Sequence, residues 1–189
     1  MTAIALFGTS ADPPTTGHQA ILRWLSDRYD WVAVWASDNP YKEHQTPLEC
    51  RMAMLHLAIA DIDTQRNNIS LNRELSSART IETVECARAQ WGAAVDLTLV
   101  VGADLVPQLP RWYRAKDLFC EVSLLIVPRP GYVLTPEALQ ALTRSGGRYE
   151  IANFEPPDVS STAYRQARDR EAAIPSVEDY IHQQQLYAS

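Results

Sequence analysis

The sequence predicts an α/β fold: an open, mostly parallel sheet with helices on both faces. Three observations carry this reading. Short apolar runs alternate along the chain with longer stretches of helical periodicity. The clearest run, Asp96-Leu-Thr-Leu-Val-Val-Gly102, is apolar almost throughout, as a strand covered on both faces must be. The first run, Ile4-Ala-Leu-Phe7, passes through a turn-rich segment straight into an amphipathic stretch, the order of a strand–loop–helix unit.

The elements follow in order. A first strand covers about residues 3–7, and a helix runs from Gly17 to Arg28. Trp31–Ala36 is a second apolar strand. The polar stretch Ser37–Pro47 carries two prolines and reads as a loop over the sheet edge. Pro47 can start a helix at its first turn, over Leu48–Ala60. Ile69–Leu71 is a weak third strand, and Ser76 or Ser77 can cap a helix from Thr80 to Trp91. After the strand 96–102, Asp104 can cap the next turn, and Leu109–Lys116 forms a short helix. Leu118–Val127 contains another strand, stopped by Pro128-Arg-Pro-Gly131. Thr135 caps a helix from Pro136 to about Thr143, and Tyr149–Ile151 is a short last strand. Ser160 or Ser161 opens a helix toward Asp169, and a final helix covers about Val177–Gln184. With no internal repeat and no composition break, residues 1–189 read as one domain with a helical portion from about 158.

Bulk properties narrow the function. A formal charge of −6 disfavours a general nucleic-acid binder. Only Lys42 and Lys116 are lysines, so the basic set is almost all arginine, the residue suited to bidentate phosphate or carboxylate contacts. Cys50, Cys86 and Cys120 are odd in number and scattered, which argues against a disulfide framework or a zinc site and for small buried hydrophobes. A strand starting near residue 3 leaves no room for a signal peptide, and no apolar stretch approaches the about 18 residues that span a bilayer. The expectation is a cytoplasmic protein with no nucleic-acid or membrane partner. Trp91 and Tyr132, read as exposed, are either contact residues of a homo-oligomer or surface aromatics with no such role.

The candidate site gathers at strand ends. Gly8-Thr9-Ser10 through Thr15-Thr16-Gly17-His18 joins the first strand to the first helix, where a nucleotide phosphate usually sits. His18 there can donate to a phosphate oxygen, with Thr15 one turn away; packing or capping is the alternative reading. Ser160, Ser161 and Thr162 can cap a helix whose free amides, with Arg165 one turn on, face an anion. Gly102 permits close ligand approach, and Asp104 can accept from a sugar hydroxyl or merely cap. Trp112 or Tyr113 can stack on a planar ring, the other packing in the core. Asn39 and Lys42 can hold a second phosphate. Arg51 either assists or lies on the surface, His44 stays open, and His56 and His182 read as structural.

Together these pieces resemble the nucleotidyltransferase superfamily with a His-x-Gly-His or Thr-x-Gly-His signature, here Thr15-Thr16-Gly17-His18 after Asp12-Pro13. Its partner signature, (Ile/Val)-Ser-Ser-Thr-x-x-Arg, reads Val159-Ser160-Ser161-Thr162-Ala163-Tyr164-Arg165. Within the superfamily the chain is most similar to bacterial nicotinate-nucleotide adenylyltransferases. Asn39-Pro40-Tyr41-Lys42, Ala78–Thr83, Gly102-Ala103-Asp104 with Leu109 and Trp112, and Ile174–Tyr187 resemble four further segments of that family. The sequence departs from it at Thr9, Ser10 and Ala11, where the family has glycine, threonine and phenylalanine, and at Tyr41 and Arg79.

The resemblance implies a Rossmann-like sheet of the nucleotidyltransferase type. It implies catalytic roles for His18, Thr15, Arg165 and Lys42, and an ATP site of Gly8, Thr9, Ser10, Thr15, His18, Gly102, Asp104, Ser161, Thr162 and Arg165. It further implies an acceptor site of Asn39, Lys42, Thr80 and Trp112. The partners would be ATP and a pyridine mononucleotide, the cofactor Mg2+ bridging ATP phosphates, with no metal cage in the protein. The products would be nicotinate adenine dinucleotide and pyrophosphate. Two rival readings stay open: an adenylyltransferase for nicotinamide mononucleotide or phosphopantetheine, and a non-catalytic nucleotide-binding protein.

Overall fold

The computed structural model describes residues 1–38, 45–167 and 169–187. Its strands are β1 (Ala3–Thr9), β2 (Trp31–Ala36), β3 (Ile69–Leu71), β4 (Asp96–Gly102), β5 (Ser123–Val127) and β6 (Tyr149–Ile151). The helices are α1 (Thr16–Arg28), α2 (Leu48–Ala60), α3 (Thr80–Trp91), α4 (Ala115–Glu121), α5 (Pro136–Arg144), α6 (Ser161–Ala167) and α7 (Pro175–Gln183). The six strands form one sheet in the order β3-β2-β1-β4-β5-β6, with every pairing parallel.

Alternation along each strand feeds two cores. One face carries Ile4, Leu6, Trp35, Leu97 and Leu99 against Ile81 and Val84 of α3, Leu118 and Phe119 of α4, and Leu142 of α5. The other carries Ala5, Phe7, Val34 and Val100 against Leu22 and Leu25 of α1 and Met52 and Leu55 of α2. The far side of α2 presents Met54 and Ala58 to Tyr164, Ile174, Val177 and Ile181, which docks the C-terminal helices.

The strand order reverses between β1 and β4, and such a reversal leaves a crevice at the carboxyl ends of the two strands. The register shows it opening. The β1–β4 ladder stops at Leu6 opposite Leu99, while β1 continues beside β2 to Thr9 opposite Ala36. Beyond Leu6 the two central strands part, and residues 7–9 and 100–102 flank the gap.

Several expectations need correction. The helix expected over Leu109–Lys116 is a 3₁₀ turn at Leu109–Arg111 followed by α4, because Arg114 adopts a left-handed φ of 52° that breaks the helical run. Residues 118–121 therefore complete α4, and β5 starts only at Ser123. Neither Ser76 nor Ser77 caps α3: Ser76 donates to the Ala36 carbonyl and Ser77 to Glu82. Cys120 is exposed and Cys50 and Cys86 are half-buried, since each falls at the rim of a helix's apolar stripe. Trp91 is half-buried against the core rather than free at the surface. No described helix is long and apolar enough to cross a membrane.

Gly8 has a packing reason to be glycine. A Cβ there would sit 2.5 Å from the indole of Trp35, its buried neighbour across the β1–β2 ladder. Gly8→Ala is expected to lower stability by about 2 kcal/mol through overpacking. An unchanged urea midpoint would mean that the indole yields freely.

Candidate active site

α1 begins at the crevice, and its first turn fixes a histidine. Thr15 is the N-cap; its N–H donates to His18 Nδ1 at 3.0 Å, and its Oγ1 lies 2.9 Å from the same nitrogen. A ring nitrogen that accepts a backbone N–H carries no proton, so in the neutral ring the proton is on Nε2. Burial pulls the His18 pKa down from 6.5 to about 4, so the ring is neutral near pH 7. Nε2–H donates to Thr9 Oγ1 at 2.9 Å. The Phe7 ring stands behind the imidazole, with centroids 6.5 Å apart.

The late serine-rich segment meets this loop. Ser160 Oγ accepts the Ala163 N–H at 3.1 Å and so caps α6. Ser161 Oγ donates to the Pro13 carbonyl at 2.7 Å, and Arg165 Nη1 donates to the Asp12 carbonyl. Arg165 Nη2 lies 3.5 Å from Thr162 Oγ1. Gly17 allows the close approach, because a Cβ there would lie 3.0 Å from Val159 Cγ2. The expected juxtaposition of His18 and Arg165 around one loop is therefore present. Ser161, however, uses its hydroxyl to join two segments.

On the β4 side, Asp104 caps nothing: it lies within a 3₁₀ turn and accepts from Arg129 Nη1 at 2.6 Å. Its Oδ1 folds over Gly102, where a Cβ would come within 2.6 Å. Thr80 opens α3. Trp112 is half-buried against the core, while exposed Tyr113 carries the Arg79 guanidinium over its ring at 4.0 Å. That stack brings the start of α3 beside the Trp112 segment. Asn39, Lys42 and His44 lie outside the described residues. His56 and His182 are exposed on their helices, away from these contacts.

Three residues outside the two signature segments help to build the site, and Arg51 is the one that the sequence left between assisting and lying on the surface. Arg51, 2% exposed, donates from Nε to the Thr46 carbonyl at 2.8 Å and from Nη1 to the Ser10 and Ser37 carbonyls at 3.1 and 2.7 Å. It is not a surface residue. Its signal in the sequence is a charge on the apolar stripe Leu48, Met52, Leu55 of α2. Tyr187 donates to Asp12 Oδ1 at 2.5 Å, and burial raises its pKa so that it stays a donor. Asp12 Oδ2 accepts the Thr46 N–H at 3.2 Å. Arg129 is the third, placed beside Gly102 by the β4–β5 ladder. The Tyr187 contact has no local sequence signal.

A loop between β1 and a helix N-terminus, at the reversal point of a parallel sheet, is the arrangement of a nucleotide-binding α/β protein. Residues 6–167 match the model of the cytidylyltransferase-like family. A protein of Synechocystis sp. named probable nicotinate-nucleotide adenylyltransferase is 43% identical, the match covering 97% of this chain and 98% of that relative. One of the same name from Laribacter hongkongensis is 34% identical over 99% and 95%. The chain belongs to the cytidylyltransferase-like family, among its nicotinate-nucleotide adenylyltransferases. The fold agrees: the Plasmodium falciparum nicotinic acid mononucleotide adenylyltransferase complexed with NaAD superposes with a TM-score of 0.78 at 19% identity, over 99% of this chain and 98% of that one.

Two expected outcomes follow from this geometry. Arg51→Met leaves three carbonyls without their donor and should cost about 3 kcal/mol in urea unfolding; Arg51→Lys should fall between it and wild type. His18 gives a pH dependence. Its ring takes a proton near 6.5 when unfolded but only near 4 when folded. As pH falls through that window the unfolded state binds the proton first, so stability is full above 6.5 and declines by up to about 3 kcal/mol toward 4. Urea titrations at pH 7, 5.5 and 4.5 should show this slope in wild type and a shallower one in His18→Gln.

Proposed function

We propose that this chain transfers the adenylyl group of ATP to nicotinate mononucleotide, giving nicotinate adenine dinucleotide and pyrophosphate, as one nucleotidyltransferase domain working in the cytoplasm. The observation that carries the reading is the meeting of the two signature segments: Arg165 and Ser161 bind the carbonyls of Asp12 and Pro13 in the loop that His18 closes. The names of the relatives support the acceptor.

An oxygen of the mononucleotide phosphate attacks the α-phosphorus of ATP. A new P–O bond forms as the bond to the bridging oxygen breaks, and pyrophosphate leaves with that electron pair. The attacking oxygen is already anionic near neutral pH, so alignment and charge neutralisation do the catalysis. Thr15 and His18 organise neutral donors at the start of α1; Arg165 and Lys42 supply positive charge. Gly8, Thr9 and Ser10 line the triphosphate with Ser161 and Thr162, and Gly102 and Asp104 stand by the ribose. Asn39 and Lys42 approach the acceptor's phosphate. Thr80 and Trp112 border its ring, where the Thr80 amide and the Arg79 guanidinium suit a carboxylate better than a carboxamide.

No group of three or more ligating side chains that could cage a metal is found among the described residues. Asp104 is paired with Arg129, and both carboxylate oxygens of Asp12 are occupied. An ion carried mainly by phosphate and water, as magnesium prefers, asks for no such group from the protein. When bound, Mg2+ supplies charge neutralisation between ATP phosphates.

The test is pyrophosphate release from ATP and magnesium across nicotinate mononucleotide, nicotinamide mononucleotide and phosphopantetheine. Release should be fastest with the first. His18→Ala should reduce it at least about 100-fold with the fold intact. A preference for another acceptor overturns the assignment, and ATP binding without turnover on any acceptor favours a non-catalytic role.

A further inference from the structure

Thr9, at the end of β1 where the central strands part, is tied to His18 in an unusual way. Its Oγ1 accepts twice: from His18 Nε2–H at 2.9 Å and from the Ala11 N–H at 3.3 Å. A hydroxyl has two acceptor lone pairs and one proton. With both lone pairs engaged, the only bond left for Thr9 to make is as a donor. The second of those bonds is secured by Ala11, buried and held at φ 49°, a left-handed conformation that residues with a Cβ seldom adopt. The His18 side is equally fixed, since the Thr15 N–H occupies Nδ1. The result is a one-way series of donors, from the Thr15 amide through the imidazole to the Thr9 hydroxyl, each polarising the next. His18 Nε2 therefore meets a hydroxyl before it can meet a ligand.

We propose that the Thr9 hydroxyl is a direct phosphate donor of the nucleotide site, and that His18 acts on ATP through it by holding the O–H proton toward a phosphate oxygen. No proton changes owner; the series delivers one strengthened hydrogen bond. The inference rests on the site being the ATP site described above.

The experiment compares wild type, Thr9→Ser, Thr9→Val, His18→Ala and the Thr9→Val/His18→Ala pair. ATP affinity is measured by calorimetry and kcat/KM by pyrophosphate release, with circular dichroism and thermal melting confirming the fold of each variant. Thr9→Ser keeps the hydroxyl and should stay within about threefold of wild type. Thr9→Val keeps the shape and should weaken ATP binding or kcat/KM by about tenfold or more, the usual effect of losing a hydrogen bond to a charged group. The double variant should be no worse than the poorer single, because the two residues lie in series. Thr9→Ala replaces Thr9→Val if the valine does not fold. A valine variant equal to wild type, or losses that multiply in the double variant, overturns the proposal. If wild type binds ATP but serves no mononucleotide acceptor, the proposed reaction fails while the calorimetric comparison still decides the role of Thr9. A wild-type chain that binds no ATP overturns both.

Discussion

The loop between β1 and α1 is held from outside as well as by its own bonds, and the site depends on the side chains that reach it from other elements. Buried Arg51 grips the Ser10 carbonyl from α2, Arg165 and Ser161 grip Asp12 and Pro13 from α6, and Tyr187 holds the Asp12 carboxylate from the C-terminal end. Each donor comes from a distant part of the chain. A short polar loop over a crevice exposes its carbonyls on several sides, and leaving them unmet is costly wherever water is excluded. The helices that cover the sheet therefore also bind the loop: packing of α2 on one core and of α6 and α7 on α2 carries these donors into place.

Electrostatics follow from the same arrangement. The guanidinium of Arg51 binds three carbonyls, and no carboxylate among the described residues pairs with it. Its positive charge lies next to the Ser10 carbonyl of the loop, and with the α1 amides it favours an anion there. His18, by contrast, is kept neutral by burial, so it contributes direction rather than charge. The division suits a reaction between two anionic substrates: fixed cations offset the charge, and a neutral donor sets the geometry. It also ties stability to the site at Tyr187, which holds Asp12 and packs against the core between α2 and the C-terminal helices.

Much of this was legible in the sequence. Strand–helix alternation reports the sheet because period-2 and period-3.6 burial leave different imprints, and β2, β3, β4, β6, α2 and α3 lie where the patterns place them. The Thr-x-Gly-His and Ser-Ser-Thr-x-x-Arg segments marked the two helix starts that meet at the loop because each is a local signal written in consecutive residues. Where local signals competed, the reading failed. Residues Leu109–Lys116 read as one helix and Leu118–Val127 as containing a strand, whereas the left-handed turn at Arg114 divides a 3₁₀ turn from α4 and the extended Val122 divides α4 from β5.

Sequence alone determined the class of sheet, the position of its crevice and the two helix starts that face it, since these depend on periodicity and capping within a few residues. Only the tertiary structure decided which side chains bind which. Arg51 goes inward because three loop carbonyls converge where α2 crosses them, Asp104 turns to Arg129 because β4 and β5 are neighbours, and Tyr187 reaches Asp12 because the C-terminal helices dock on α2. Such pairings arise from where whole elements pack, and the separations of 25 residues between Asp104 and Arg129 and 175 between Asp12 and Tyr187 leave no local trace of them.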